Sequence, residues 1–127
     1  MTYTSKEKAL QIAKFLDDKK AVDIKILELK DLTIITDYFV ICSADSTTQV
    51  KALTEHLEEK MDLEGFKPLH IEGLNYAHWV LLDYGDVIVH IFLEETRHYY
   101  DLERLWLDAP RIPLDSSISD KSRAVYR

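Results

Sequence analysis

Five histidines, a single cysteine and 23 acidic side chains are the groups in this 127-residue chain that could ligate a metal or move a proton. His70, His78 and His90 fall on segments that read as strands, yet the alternation of the last hairpin sends His78 and His90 to opposite faces. No H-x-x-x-H, H-E-x-x-H or Cys/His spacing occurs, so no metal-binding set is read. Nucleotidyl transfer would need two or three acids converging on a divalent cation, commonly as D-x-D on a strand. That pattern is missing, and Asp83 and Asp86 straddle a turn. No serine sits in a nucleophile elbow. Cys42, enclosed by apolar neighbours in YFVIC, reads as a buried small hydrophobe, and being alone it excludes an internal disulfide or a cysteine zinc cluster. The stretch ICSADSTTQV runs from a strand into a capped helix, where an anion could bind, but it lacks glycine and lysine and reads as a plain cap. The residues assemble no active site, and no cofactor is implied.

What stands out instead is a concentration of rings. Trp79, Phe92, Tyr99, Tyr100 and Trp106 lie close together in sequence, interleaved with Arg97, Glu103 and Arg104, and Trp, Tyr and Arg are the residues over-used at binding hot spots. The segment 78–92, HWVLLDYGDVIVHIF, writes a β-hairpin about Tyr84-Gly85-Asp86-Val87. With Gly85 and Asp86 as loop residues, Val80, Leu82, Val89 and Ile91 share an apolar core face. On the other face Trp79 meets Phe92, Leu81 meets His90 and Asp83 meets Ile88, which makes Asp83 and His90 diagonal neighbours. His90 is then a structural imidazole bonded to Asp83, an interface residue, or both. For Trp79 and Tyr100 a partner is the reading; for Leu105 and Trp106 it is docking of the last helix onto the sheet.

The elements that must position these rings follow from periodicity. Thr4 to Lys20 predicts a helix with a Thr4/Glu7 capping box and an apolar stripe of Ala9, Ile12, Ala13 and Leu16. Residues 22–29 predict a strand with Val22, Ile24 and Ile26 inward, and the opposite parity of Leu27 and Leu29 points to a bulge or burial on both sides. Residues 38–44 read as a central strand covered on both faces. Ser46 and Gln49 suggest a second capping box, opening a helix with Val50, Leu53, Leu57 and Met61 inward and Gly65 as its stop. A strand over 66–71, entered near Pro68, belongs at an edge. Residues 94–108 form a last helix, broken near Tyr100-Asp101. The order α-β-β-α-β-β-β-α predicts an α/β or α+β domain over 1–109, a mixed sheet of about five strands with helices packed on it. The strand, capped helix and strand in the middle form a crossover unit. Residues 110–127, richer in proline, serine and charge, read as an extended or disordered tail.

Net charge is −7, and the first 109 residues carry 12 basic against 21 acidic side chains. Such a body disfavours direct nucleic-acid binding, where lysine and arginine must neutralise phosphates, and suits a basic protein partner. No apolar run approaches the ~20 residues of a membrane span, and the N-terminus has no secretory apolar region. With one cysteine, the reading is cytoplasmic.

Four motifs carry a family resemblance: ITDYFVIC at 35–42, S-x-x-Q-V at 46–50, W-x-x-x-D-x-GDVIVHIF at 79–92, and E-x-R-x-Y-Y-x-LE-x-LW at 95–106. Over residues 5–109 the chain resembles the ribosomal silencing factor (RsfS, iojap-like) family. The resemblance implies a nucleotidyltransferase-like fold without transferase activity. It implies binding to the large ribosomal subunit through ribosomal protein uL14, blocking small-subunit joining and repressing translation when nutrients are short. Trp79, Asp83, His90, Arg97, Tyr100, Glu103 and Trp106 match the family's motif positions. On that footing Trp79, Leu81, His90 and Phe92 form the contact surface, Asp83 orients His90, and Arg97 and Glu103 set polar register at the rim. Ala44 and Thr48 stand where the family loop usually has glycine and often arginine. Two rivals are a metal-dependent nucleotidyltransferase with an unrecognised acid set, and a homodimer paired through the apolar face.

Overall fold

The computed structural model describes residues 3–114. Helix α1 (Ser5–Asp18) opens with the full capping box: Thr4 Oγ1 accepts the Glu7 N–H at 3.1 Å, and the Glu7 carboxylate accepts the Thr4 N–H at 2.9 Å. Two otherwise orphaned donors are thereby satisfied. The stripe of Ala9, Ile12, Ala13 and Leu16 is buried. The helix ends two residues earlier than the lysine pair suggested, because the backbone turns left-handed at Lys20, φ 65°.

There follow β1 (Val22–Glu28), β2 (Tyr38–Ala44), α2 (Thr47–Leu63), β3 (His70–Glu72), β4 (Trp79–Asp83), β5 (Val87–Leu93), α3 (Glu94–Tyr100), a 3-10 helix (Leu102–Trp106) and β6 (Arg111–Ile112). The fold is α+β, with one six-stranded sheet in the order β3-β4-β5-β2-β1-β6. Among the described strands only β2 and β5 run parallel. The sixth strand comes from residues expected in the tail: Ile112 pairs with Ile26 and Arg111 with Leu27 on the open edge of β1. The rest of that tail, 115–127, lies outside the described residues. β3 takes the other edge, as Pro68 suggested, but spans only His70–Glu72. The crossover from β2 therefore does not return at β3. It runs through α2 and the β3-β4 pair before reaching its parallel neighbour β5.

Alternation divides the sheet into two faces. Val40, Cys42, Val80, Leu82, Val89 and Ile91 pack under α1 and α2 in the main core. Leu27, Leu29, Phe39, Ile41, Ile88 and Phe92 form a second apolar layer on the opposite side. Every residue of β2 is buried, as a continuous apolar run requires. Each large side chain so enclosed contributes roughly 1.5–3 kcal/mol. β1 carries the expected bulge, with a register shift between Val22 and Lys25 and Asp23 at φ 50°. The bulge corrects one expectation: Val22 turns out to solvent, while Ile24 and Ile26 remain on the helix side. At α2, Ser46 Oγ accepts the Gln49 N–H at 3.1 Å, but Gln49 takes the N–H of Asp45, at 2.9 Å, rather than that of Ser46. The box is thus displaced by one residue.

Candidate functional site

The hairpin pairs as its alternation requires: Trp79 opposite Phe92, Leu81 opposite His90, and Asp83 opposite Ile88. The Tyr84 N–H closes the turn on the Val87 carbonyl at 2.9 Å, and Gly85 supplies φ 89°. Lys8 on α1 reaches Asp86 at 2.8 Å, and Thr36 Oγ1 donates to the Gly85 carbonyl at 3.0 Å, so the turn is tied to the body.

Asp83 does not orient His90. Its carboxylate bends back to accept the Gly85 N–H two residues on, at 2.8 Å, and its other oxygen lies 3.7 Å from His70 Nδ1. A short acid beside a turn finds that backbone donor before it reaches across a strand. His90 is held instead by Trp79, whose indole N–H donates to Nδ1 at 3.1 Å. The imidazole proton then belongs on Nε2, a buried atom with no hydrogen-bond partner among the described residues. Burial pushes the His90 pKa down to about 4, so the ring is neutral near pH 7.

The same packing corrects the expected contact surface. Phe92 is 0% and His90 4% exposed, so neither presents surface. They form a floor: Trp79 lies over Phe92 at a centroid distance of 4.8 Å, and Phe39 meets His90 edge-on at 4.5 Å. Above the floor, Trp79 and Leu81 are half-buried and Tyr100 is exposed, its ring 5.1 Å from the indole. The chain covers the rest of this face itself. Leu102, Trp106 and Ala109 fold onto it, with Trp106 edge-on to Phe39 at 6.0 Å. Leu105 does not help dock the segment; it is 75% exposed.

Arg97 and Glu103 are not rim residues facing outward. Arg97 is buried, with its guanidinium against Glu103 at 2.8 and 3.4 Å, the Asp23 carbonyl at 2.8 Å and Ser43 Oγ at 2.9 Å. One cation thereby joins the β1 bulge, the end of β2, α3 and the 3-10 helix. The break between those helices falls at Asp101, φ 48°, next to Tyr100 as expected. This turn brings Glu103 back to Arg97 and sets Trp106 over Phe39.

One ring was not anticipated from the sequence. Tyr76, in the loop before β4, stacks on His78 at 3.9 Å, and the two form the far wall of a groove of about 640 Å³ whose other rings are Trp79, Tyr99 and Tyr100. Its signal in the sequence is an aromatic residue in the short turn of residues 73–77, beside Gly73 and Asn75. Among the described residues, no group of three or more His, Cys, Asp or Glu is placed to hold a metal ion, and no helix is long and apolar enough to cross a membrane.

The fold and this site define an α+β domain that presents braced aromatic surface on a hairpin and the helix that follows it. The family model for the ribosomal silencing factor during starvation, RsfS, matches residues 2–126, beyond the stretch that carried the motifs. The chain belongs to that family. It is 41% identical over 116 residues to the ribosomal silencing factor RsfS of Halalkalibacterium halodurans, covering 91% of this chain and 99% of that protein. It is 43% identical over 99 residues to RsfS of Bacillus subtilis, covering 78% and 84% of the two chains. More distant is the mouse protein named mitochondrial assembly of ribosomal large subunit protein 1, 32% identical over 75% of this chain and 43% of its own. A crystal structure of a Chromobacterium violaceum protein superposes with TM-score 0.75 at 32% identity, over 89% of this chain and 94% of that one.

Proposed function

We propose that this protein binds the large ribosomal subunit through ribosomal protein uL14 and, by occupying the face the small subunit must meet, represses translation without catalysis. The observation that carries this reading is the Trp79 platform. A partly exposed indole is seated on Phe92, tied to His90 and flanked by the exposed ring of Tyr100. A rigid aromatic anchor loses little entropy on docking, which is why such residues dominate binding energies. Family membership supports the ribosome as the target, and the acidic body supports a basic protein on it.

Co-sedimentation with separated large and small subunits, followed by a subunit-association assay, tests the proposal. The chain should pellet with large subunits and inhibit their joining to small ones. Trp79→Ala should weaken that binding by about 2 kcal/mol, roughly thirtyfold, with Trp79→Phe intermediate. Unchanged binding of a folded Trp79→Ala variant would remove the platform from the interface. Magnesium-dependent nucleotide transfer abolished by changing Asp83 would overturn the non-catalytic reading.

A further inference from the structure

The groove beside the platform has a chemistry of its own. Its rings are Tyr76, His78, Trp79, Tyr99 and Tyr100, its carboxylate is Glu95, and among the described residues neither lysine nor arginine lines it. Tyr76, Tyr99 and Tyr100 are 74%, 81% and 56% exposed, so three of its rings stand ready at its mouth. Tyr99 and Tyr100 meet at a right angle, 5.0 Å apart, which turns their faces in different directions around one space. The indole N–H is already committed to His90, so Trp79 has no donor for an acidic or carbonyl group and offers its π-face and apolar edge. Aromatic faces carry negative potential and attract cations. The acid at the wall and the acidic body act in the same sense.

The far wall is held stiffly. Gly73, at φ 84°, passes so close to β4 that an added Cβ would stand 2.1 Å from the Trp79 carbonyl oxygen. Ala77 is buried in the left-handed region at φ 60°, and its N–H donates to the Gly73 carbonyl at 2.9 Å. Tyr76 is therefore presented by a constrained loop, and the space it borders exists before anything enters it.

We propose that this groove is an aromatic cage for one cationic side chain, an arginine or lysine of the basic protein to which the domain docks. The inference rests on the reading above that a basic ribosomal protein is the partner, and adds the chemistry by which the domain would grip it. Tyr76, Tyr99 and Tyr100 form the open sides, Trp79 the inner side, and Glu95 the counter-charge. One of these, Tyr76, lies outside the aromatic and motif positions that the hairpin and last helix made evident, and Glu95 is a motif position to which the sequence assigned no role.

Two measurements test it. In co-sedimentation with large subunits, Tyr76→Leu and Tyr99→Leu should each weaken binding roughly tenfold, whereas Tyr76→Phe and Tyr99→Phe, which keep the ring, should bind within about twofold of the parent. Leucine variants that bind like the parent overturn the cage while leaving the Trp79 platform standing. The second measurement needs no ribosome. Aromatic resonances of the intact chain are followed by NMR during titration with tetramethylammonium or with its uncharged near-isostere 2,2-dimethylpropanol. The cation should shift the rings of Tyr76, Trp79 and Tyr99 at concentrations at least several-fold lower than the alcohol, with Glu95→Gln narrowing the gap. Equal responses identify an ordinary apolar groove, and no response to either probe excludes a preformed cage; both refute the proposal. If the chain fails to bind large subunits at all, the partner reading falls and the titration still judges the cage.

Discussion

Replacing Glu103 by glutamine separates an internal tie from an outward-facing contact. Arg97 and Glu103 have side chains only 8% and 21% exposed and meet at 2.8 Å. Removing one partner of a well-buried ion pair costs roughly 3–5 kcal/mol, because the other charge is left without compensation. Three features reduce that figure here. Glu103 keeps some contact with water, the glutamine oxygen can still accept one guanidinium N–H, and the Asp23 carboxylate remains 3.6 Å from Arg97. The expected loss is about 2 kcal/mol, which for a chain of this size lowers Tm by roughly 7 °C. Thermal and urea unfolding, followed by near-ultraviolet circular dichroism, read it directly. In an Arg97→Met background the same change should cost less than about 0.5 kcal/mol, since the coupling is already gone. A Glu103→Gln variant that melts with the parent yet loses tenfold in large-subunit affinity would refute the reasoning and return Glu103 to the interface.

Two further perturbations probe the floor and the loop. His90 is held well below the ordinary imidazole pKa, at about 4, so between pH 6.5 and 4 the unfolded chain binds more protons than the folded one. Its contribution to stability is therefore intact above pH 6.5 and lost as pH falls toward 4, by about 3 kcal/mol in all. His90→Gln, whose amide oxygen can accept the Trp79 N–H, should flatten that acid limb relative to the parent; superimposable pH profiles would show that His90 does not titrate this way. Gly73→Ala forces a methyl group into the Trp79 carbonyl at a left-handed position and should cost about 3 kcal/mol in urea unfolding. A cost below about 1 kcal/mol would mean the loop yields, and with it the argument for a preformed groove.

Local order was legible wherever neighbours in sequence carry the structural information. The Thr4/Glu7 box, the turn at Gly85, the hairpin register and the break at Asp101 each depend on residues within a few positions of one another, and each formed as the pattern required. Two-sided burial of residues 38–44 followed from their unbroken apolar run. Family motifs supplied the likeness to ribosomal silencing factors, since a string of matched positions survives without knowledge of what each side chain touches.

Tertiary structure decided which of the motif residues face out. Arg97 finds Ser43 and Asp23, 54 and 74 positions away, and no periodicity in residues 95–106 could announce those partners. Asp83 and His90 were correctly placed as diagonal neighbours, but a closer backbone donor took the acid and an indole took the imidazole. Alternation assigns a side chain to a face of the sheet; whether that face is open depends on what folds over it. Leu102 and Trp106 return across one part of this face, and Tyr76 arrives beside the other from a loop outside the hairpin. The sequence by itself determined the two faces, and only the packing of distant segments divided the second into a buried floor and an exposed aromatic edge.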